Sequence, residues 1–219
     1  MARVLILVEG QTEEVFVKEV LAPHLVPHGV FIIPTILVTK WVKAGSHFRG
    51  GVTSYERVAA DVRRLLADTD VSMVTTMLDY YGLPTDFPGL GSRPNGDCYA
   101  RVQHVEEAFR QDIDDTRFSP YLALHEFEGL IFTAPEKCGF VFAGTNAAAR
   151  LQKIAEGYES PEEINEGHQT APSKRIAAVF PGYQKPLHGP LATLELGLPQ
   201  LRAKSPHFSD WVSRLEKAA

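Results

Sequence analysis

The stretch Val4-Leu5-Ile6-Leu7-Val8-Glu9-Gly10-Gln11-Thr12-Glu13-Glu14 decides the fold. Five consecutive apolar residues without alternation describe a strand buried on both faces, as in the middle of a parallel sheet. Gly10 permits a sharp turn, and Thr12 is the expected N-cap of a helix with Glu13 and Glu14 in its first turn. Val15, Phe16, Val20 and Leu21 give that helix an apolar stripe, and Pro23 and Pro27 are expected to close it.

The same alternation continues outward. Val30–Ile33 and Ile36–Val38 read as a second strand, bent at Pro34. The glycine-rich Lys43–Thr53 reads as a mobile loop, and Ser54 caps a helix carrying Val58, Val62, Leu65 and Leu66 on one face. A third strand spans Val71–Leu78 and ends at Asp79, followed by a long Gly- and Pro-rich loop, Tyr80–Asn95. Tyr99–Ile113 is helical, Tyr121–Leu124 is a fourth strand ending at His125-Glu126, and Glu128–Phe132 opens another helix. Repeated strand–helix alternation argues an α/β domain with a doubly wound parallel sheet over residues 1–135. Beyond Pro135 the pattern is helical, in segments 146–157, 161–166, 172–180, 190–196 and 206–217, so 136–219 reads as a helical, basic C-terminal extension packed on the sheet.

Composition narrows the classes. At 219 residues, 44% hydrophobic and 22% charged, the chain is an ordinary globular protein, not a disordered or fibrous one. Two cysteines, Cys98 and Cys138, exclude a disulfide framework and a four-cysteine zinc site. No run approaches the ~18 apolar residues of a membrane span, and the expectation is a soluble, cytoplasmic protein. The net charge of -5 conceals an asymmetry: residues 168–219 hold seven Lys/Arg against three acids, leaving the excess of acid to the body. That is the balance of a metal site beside a polyanion-binding surface, and equally of ordinary solvated charge.

Ligands of open parallel sheets bind beyond the carboxyl ends of the strands. Glu9 follows strand one, Asp79 follows strand three, and Glu126 and Glu128 follow strand four. Carboxylates crowded at one edge need a cation, and oxygen ligands suit Mg²⁺ or Mn²⁺. Each acid also has a structural reading: Glu9 bonding its own turn, Asp79 capping a loop, Glu126 and Glu128 starting an exposed helix.

These residues resemble a known family. Strand–Glu9-Gly10, Thr12-Glu13 opening a helix, and a strand ending in Asp79 look like the TOPRIM domain of topoisomerases, primases and overcoming-lysogenization-defect (OLD) nucleases. Val8-Glu9-Gly10-Gln11-Thr12-Glu13, His125-Glu126-Phe127-Glu128-Gly129-Leu130, Ala171-Pro172-Ser173-Lys174-Arg175 and Phe180-Pro181-Gly182-Tyr183-Gln184-Lys185 together resemble the bacterial TOPRIM-related family of unknown function DUF4276. The resemblance implies a TOPRIM-like sheet flanked by helices, with Glu9 and Asp79 as Mg²⁺ ligands or general base. It also implies phage-defence loci and a partner ATPase. Where TOPRIM domains carry Asp-x-Asp, Asp79 is followed by Tyr80 and Tyr81, so a second carboxylate would have to come from Glu126 or Glu128.

In the basic tail, Lys174 and Arg175 follow Pro172 in the first turn of a helix, and Tyr183, Lys185 and His188 lie in an expected loop, 181–190. Phosphate contacts from Lys and Arg and base stacking on Tyr would make this the substrate-binding side, with Lys174 or Arg175 stabilising charge on the scissile phosphate. The alternative is a structural ion-pair cluster between these cations and Glu9, Asp79 or Glu126. The eight histidines show no metal-ligand spacing; His24 and His28 are four apart, but Pro27 intervenes. His125 abuts the acids, as a ligand, a proton shuttle or a structural histidine. No nucleophile elbow or P-loop lysine is present. The expectation is a Mg²⁺-dependent phosphoryl-transfer enzyme, a nuclease on DNA or RNA, with Glu9, Asp79 and Glu126 holding metal, Glu128 and Lys174 assisting. The competing expectation is a non-catalytic subunit docking on an ATPase or nucleic acid.

Overall fold

The computed structural model describes residues 1–37, 54–165, 167 and 169–219. The Val38 end of the expected second strand, the Lys43–Thr53 loop, and Glu166, His47 and His168 lie outside the described residues. The chain is a mixed α/β protein: a parallel sheet flanked by helices. Strand β1 (Ala2–Val8) lies between β2 (Val30–Ile36) and β3 (Met73–Asp79), and β3 pairs in turn with β4 (Phe118–Ser119) and β5 (Leu122–Ala123). Every pairing is parallel. The apolar run at the N-terminus feeds both faces, as a central strand must. Val4, Ile6 and Val8 join one core; Leu5 and Leu7 join the other.

The expected fourth strand, Tyr121–Leu124, is shortened to the two-residue pairing of β5, and another two-residue pairing, β4, precedes it across Pro120 and Tyr121. Proline has no N–H to give a ladder. Threonines of β3 bridge the break. Thr75 Oγ1 donates to the Ser119 carbonyl at 2.6 Å, and Thr76 Oγ1 donates to Tyr121 O at 2.8 Å while accepting the Tyr121 N–H at 3.1 Å.

The first helix also differs from expectation. It opens as α1 (Gln11–Phe16) with Gly10, not Thr12, at the N-cap; Thr12 sits inside it, buried. Pro23 and Pro27 do not close it. A π turn (Val17–Leu21) leads into α2 (Ala22–Leu25), and a 3-10 turn (Val26–His28) carries it to Gly29. A proline ring clashes with the carbonyl four residues back, and π and 3-10 turns re-aim those carbonyls. The left-handed Gly29, φ 74°, then ends the helix.

On one side of the sheet, α3 (Tyr55–Leu66) and α4 (Cys98–Ile113) cover Leu5, Leu7, Val74 and Leu78. Residues 136–219 contribute to the other side. Helices α5 (Ala147–Ala155), α6 (Pro172–Val179), α7 (Lys185–Lys204) and α8 (Pro206–Glu216) share one hydrophobic core with β1 and α1. Trp211 of α8 stacks on Tyr121 with ring centroids 4.3 Å apart and donates its indole N–H to Thr75 Oγ1 at 3.0 Å. The start of α8 is tied to buried Glu162, which accepts the amides of His207 and Phe208 at 3.0 and 2.8 Å. Helix α7 is bent at Gly197, whose φ of 71° lies outside the helical region.

Candidate functional site

The carboxyl ends of β1, β3 and β5 gather acids, as their positions after apolar runs predict. Glu9 leaves β1 and turns back, so that its Oε2 accepts the Asp79 N–H at 3.3 Å. Asp79, the last residue of β3, accepts the Phe127 N–H on Oδ1 at 2.9 Å. Glu128, fully buried, projects from the 3-10 turn Phe127–Thr133 that follows β5. A further acid comes from α1. Glu13 is 2% exposed, in line with Phe16, Val17 and Val20 on the buried face of the helix.

Among the described residues, one ammonium stands between them. Lys185 Nζ lies 3.1 Å from Glu128 Oε2, 3.4 Å from Asp79 Oδ2 and 3.7 Å from Glu13 Oε1. The expected loop 181–190 is instead the start of a helix: Lys185 is the first residue of α7, and Pro186 occupies a first-turn position, where a missing N–H costs nothing. The lysine reaches the acids because α7 approaches α1 closely at Gly189. A Cβ there would lie 3.1 Å from Thr12 Cγ2 and 3.3 Å from Phe127 Cε1.

Burial dominates the electrostatics. It pushes the Glu9 carboxyl up to about 8, with Asp79 and Glu13 adding to the shift and Lys185 opposing it. It pushes Glu128 up to about 7 against the pull of Lys185, and raises Glu13 and Asp79 as well. Desolvation disfavours the Lys185 ammonium, but Asp79, Glu128, Glu13 and Glu9 outweigh it and hold its pKa well above the ordinary value. Even so, two buried oxygens, Glu13 Oε1 and Glu128 Oε2, accept no hydrogen bond; Lys185 approaches them as an ion pair without the alignment of one.

The remaining expected residues do not contact the Lys185 ammonium. Glu126 lies near enough for its charge to help raise Asp79 and Glu128, but turns to α6, where its Oε2 accepts the Ser173 N–H at 2.9 Å. Lys174 points outward, exposed, in the first turn of α6. Arg175 donates to Thr170 O at 2.6 Å and to the Tyr158 hydroxyl at 3.1 Å, with its guanidinium 5.8 Å from the Tyr158 ring centre. Tyr183 is no open stacking platform: its hydroxyl donates to Glu128 Oε1 at 3.3 Å. His188 Nδ1 accepts the Gln184 N–H at 2.8 Å, capping its own helix. His125, at φ 67°, contacts Asn165 at 3.4 Å; burial lowers its pKa to about 4, leaving it neutral at physiological pH. Lys185, expected as a phosphate contact, is the cation that enters the acids, and Glu13 is the acid that sequence reasoning passed over.

Among the described residues, the three-donor cluster with ligand atoms within 4.8 Å of one another is His24, His28 and Glu216, not the acids at the sheet edge. Mutual repulsion spreads those acids around Lys185. Their all-oxygen character, with two buried oxygens paired to Lys185 but without an aligned hydrogen bond, nevertheless fits a hard divalent cation, with Glu9, Glu13, Asp79 and Glu128 as the residues that would hold it.

The sequence matches a family model over residues 8–216, under the description "Domain of unknown function (DUF4276)". The chain belongs to the DUF4276 family. No curated protein and no solved structure matches it. Among the described residues of this DUF4276 protein, no helix is long and apolar enough to cross a membrane.

The acids dictate a pH dependence for the metal-free protein. The folded state holds protons on Glu128 up to about pH 7 and on Glu9 up to about pH 8, whereas their ordinary value is 4.5. Native protein therefore binds more protons than unfolded protein across this range, and stability falls as pH rises through the folded values. His207, raised by Glu106 against its burial, acts in the same direction, and the lowered His125 acts only below its ordinary 6.5. Thermal unfolding in EDTA should show a lower Tm at pH 8.5 than at pH 6.5, with the difference reduced in Glu9→Gln. A flat or rising Tm would contradict the burial of these acids.

Proposed function

We propose that this protein is a divalent-metal-dependent phosphodiesterase acting on nucleic acid, built on a TOPRIM-like sheet. Glu9, Glu13, Asp79 and Glu128 would hold Mg²⁺ or Mn²⁺. The observation that carries the reading is the pair of buried carboxylate oxygens without hydrogen bonds, Glu13 Oε1 and Glu128 Oε2, gathered with Asp79 at the carboxyl end of a parallel sheet. The ion would supply Lewis-acid activation of water and neutralisation of charge at phosphorus. The residues supply the rest. Tyr183 orients Glu128 through its hydroxyl. Lys185, at the N-terminus of α7, is within reach of a phosphoryl oxygen once released from the acids, and the helix N-terminus favours the same charge. Glu126 acts as a positioning residue through α6, and exposed Lys174 on that helix suits the flanking backbone of a polymer.

A second reading has its own observation. Lys185 contacts three of the acids already, so the cluster is partly neutralised without metal and would serve a non-catalytic subunit that docks on an ATPase or nucleic acid. Incubating the protein with single- and double-stranded DNA and RNA in Mg²⁺, Mn²⁺ or EDTA separates the two. Metal-dependent cleavage supports the enzyme; intact substrates under every condition, with nucleic-acid binding or none, support the subunit.

A further inference from the structure

A second cluster of donors lies away from the acids. His24 belongs to α2, His28 to the 3-10 turn that continues it, and Glu216 is the last residue of α8. His24 Nε2 lies 2.7 Å from Glu216 Oε1, and the two imidazole rings are 5.2 Å apart. One ligand atom from each of the three residues falls within 4.8 Å of the other two. Because the prolines do not stop the helix, spacing of four keeps both histidines on one face. Glu216 arrives from the opposite end of the chain, which is why spacing alone revealed nothing. Arg202 donates to both oxygens of Glu216 and to Ser213 Oγ, fixing the carboxylate as outer-shell partners of metal ligands do.

We propose that His24, His28 and Glu216 bind one borderline divalent transition-metal ion, Zn²⁺ by preference, clipping the last helix to the first. Two imidazoles and a carboxylate are zinc donors, and water would complete a four-coordinate site. The ion would replace the His24–Glu216 hydrogen bond with a link that also engages His28. It is independent of the chemistry assigned to the sheet edge, because no ligand is shared.

The test is calorimetric titration of ZnCl₂ into metal-free protein without a histidine tag, alongside Asp79→Asn alone and combined with His28→Ala or His24→Ala. His28 is exposed, so its truncation leaves the fold intact. Expected in Asp79→Asn, which disables the sheet-edge acids, is one Zn²⁺ per chain, weakened when either histidine substitution is added by at least the ~10–100-fold that loss of an outer-shell partner costs. In the Asp79→Asn background Zn²⁺ should raise the Tm, and should not once His28→Ala is added. No saturable binding in Asp79→Asn, or equal affinity once His28→Ala is added, would overturn the proposal.

Discussion

Lys185→Met is expected to destabilise the metal-free protein at pH 8 by about 3 kcal/mol, and by much less at pH 5.5. Removing one partner of a fully buried ion pair costs about 3–5 kcal/mol, because the charge left behind has no counter-ion. Lys185 keeps 38% of its side-chain surface exposed, and water there softens the loss toward the lower end. The pH dependence follows from the acids. With the ammonium gone, Glu13, Asp79 and Glu128, already raised by burial, bind protons more readily still, so lowering the pH removes charge that methionine would leave unpaired. Denaturant unfolding at the two pH values checks this. Equal stability of variant and wild type at pH 8 would mean that the ammonium does not hold the acids together. Millimolar Mn²⁺ should restore much of the loss, since a ligand at 100 times its Kd contributes about 2.7 kcal/mol.

The second large effect concerns catalysis. Asp79→Asn and Glu13→Gln should each reduce metal-dependent cleavage about a thousandfold or more, the scale of losing several kcal/mol of charge stabilisation in the transition state. Glu126→Gln should cost far less, because its contact is the Ser173 amide, which an amide oxygen can also accept. Folding does not confound the comparison. Burial raises the Glu13 carboxyl, so replacing it with a neutral amide relieves a penalty, and Glu13→Gln should unfold no more easily than the wild type at pH 8. An active Glu13→Gln beside an inactive Glu126→Gln would reverse the assignment of the acids.

Much of this site was legible in the sequence. The unbroken apolar run before Glu9 and the apolar, β-branched stretch Met73–Leu78 before Asp79 mark central strands, and a central strand delivers the residue at its carboxyl end to the ligand edge. What escaped has physical causes. Glu13 stands in the first turn of a helix, where an acid is ordinarily explained by the helix dipole. Its alignment with Phe16, Val17 and Val20 was the signal that it points inward. The prolines around Lys185 read as loop punctuation, yet a proline in the first helical turn costs nothing. Pro120 stands between β4, which the apolar pattern did not mark, and β5, and Thr75 and Thr76 bridge the interruption. Pro23 and Pro27 failed to stop their helix, since a π turn and a 3-10 turn absorbed them. Contacts between distant segments, such as Trp211 on Thr75 or Glu216 on His24, leave no local periodicity to read.

The central claim is that the acids now gathered around Lys185 take up a divalent cation. Calorimetric titration of Mn²⁺ at pH 7.5 into metal-free His28→Ala protein, which lacks the second candidate site, tests it most directly. Saturable binding that disappears on adding Asp79→Asn or Glu13→Gln is the predicted result. Absence of binding, or binding indifferent to both substitutions, would contradict the account and leave these carboxylates held by Lys185 without a metal.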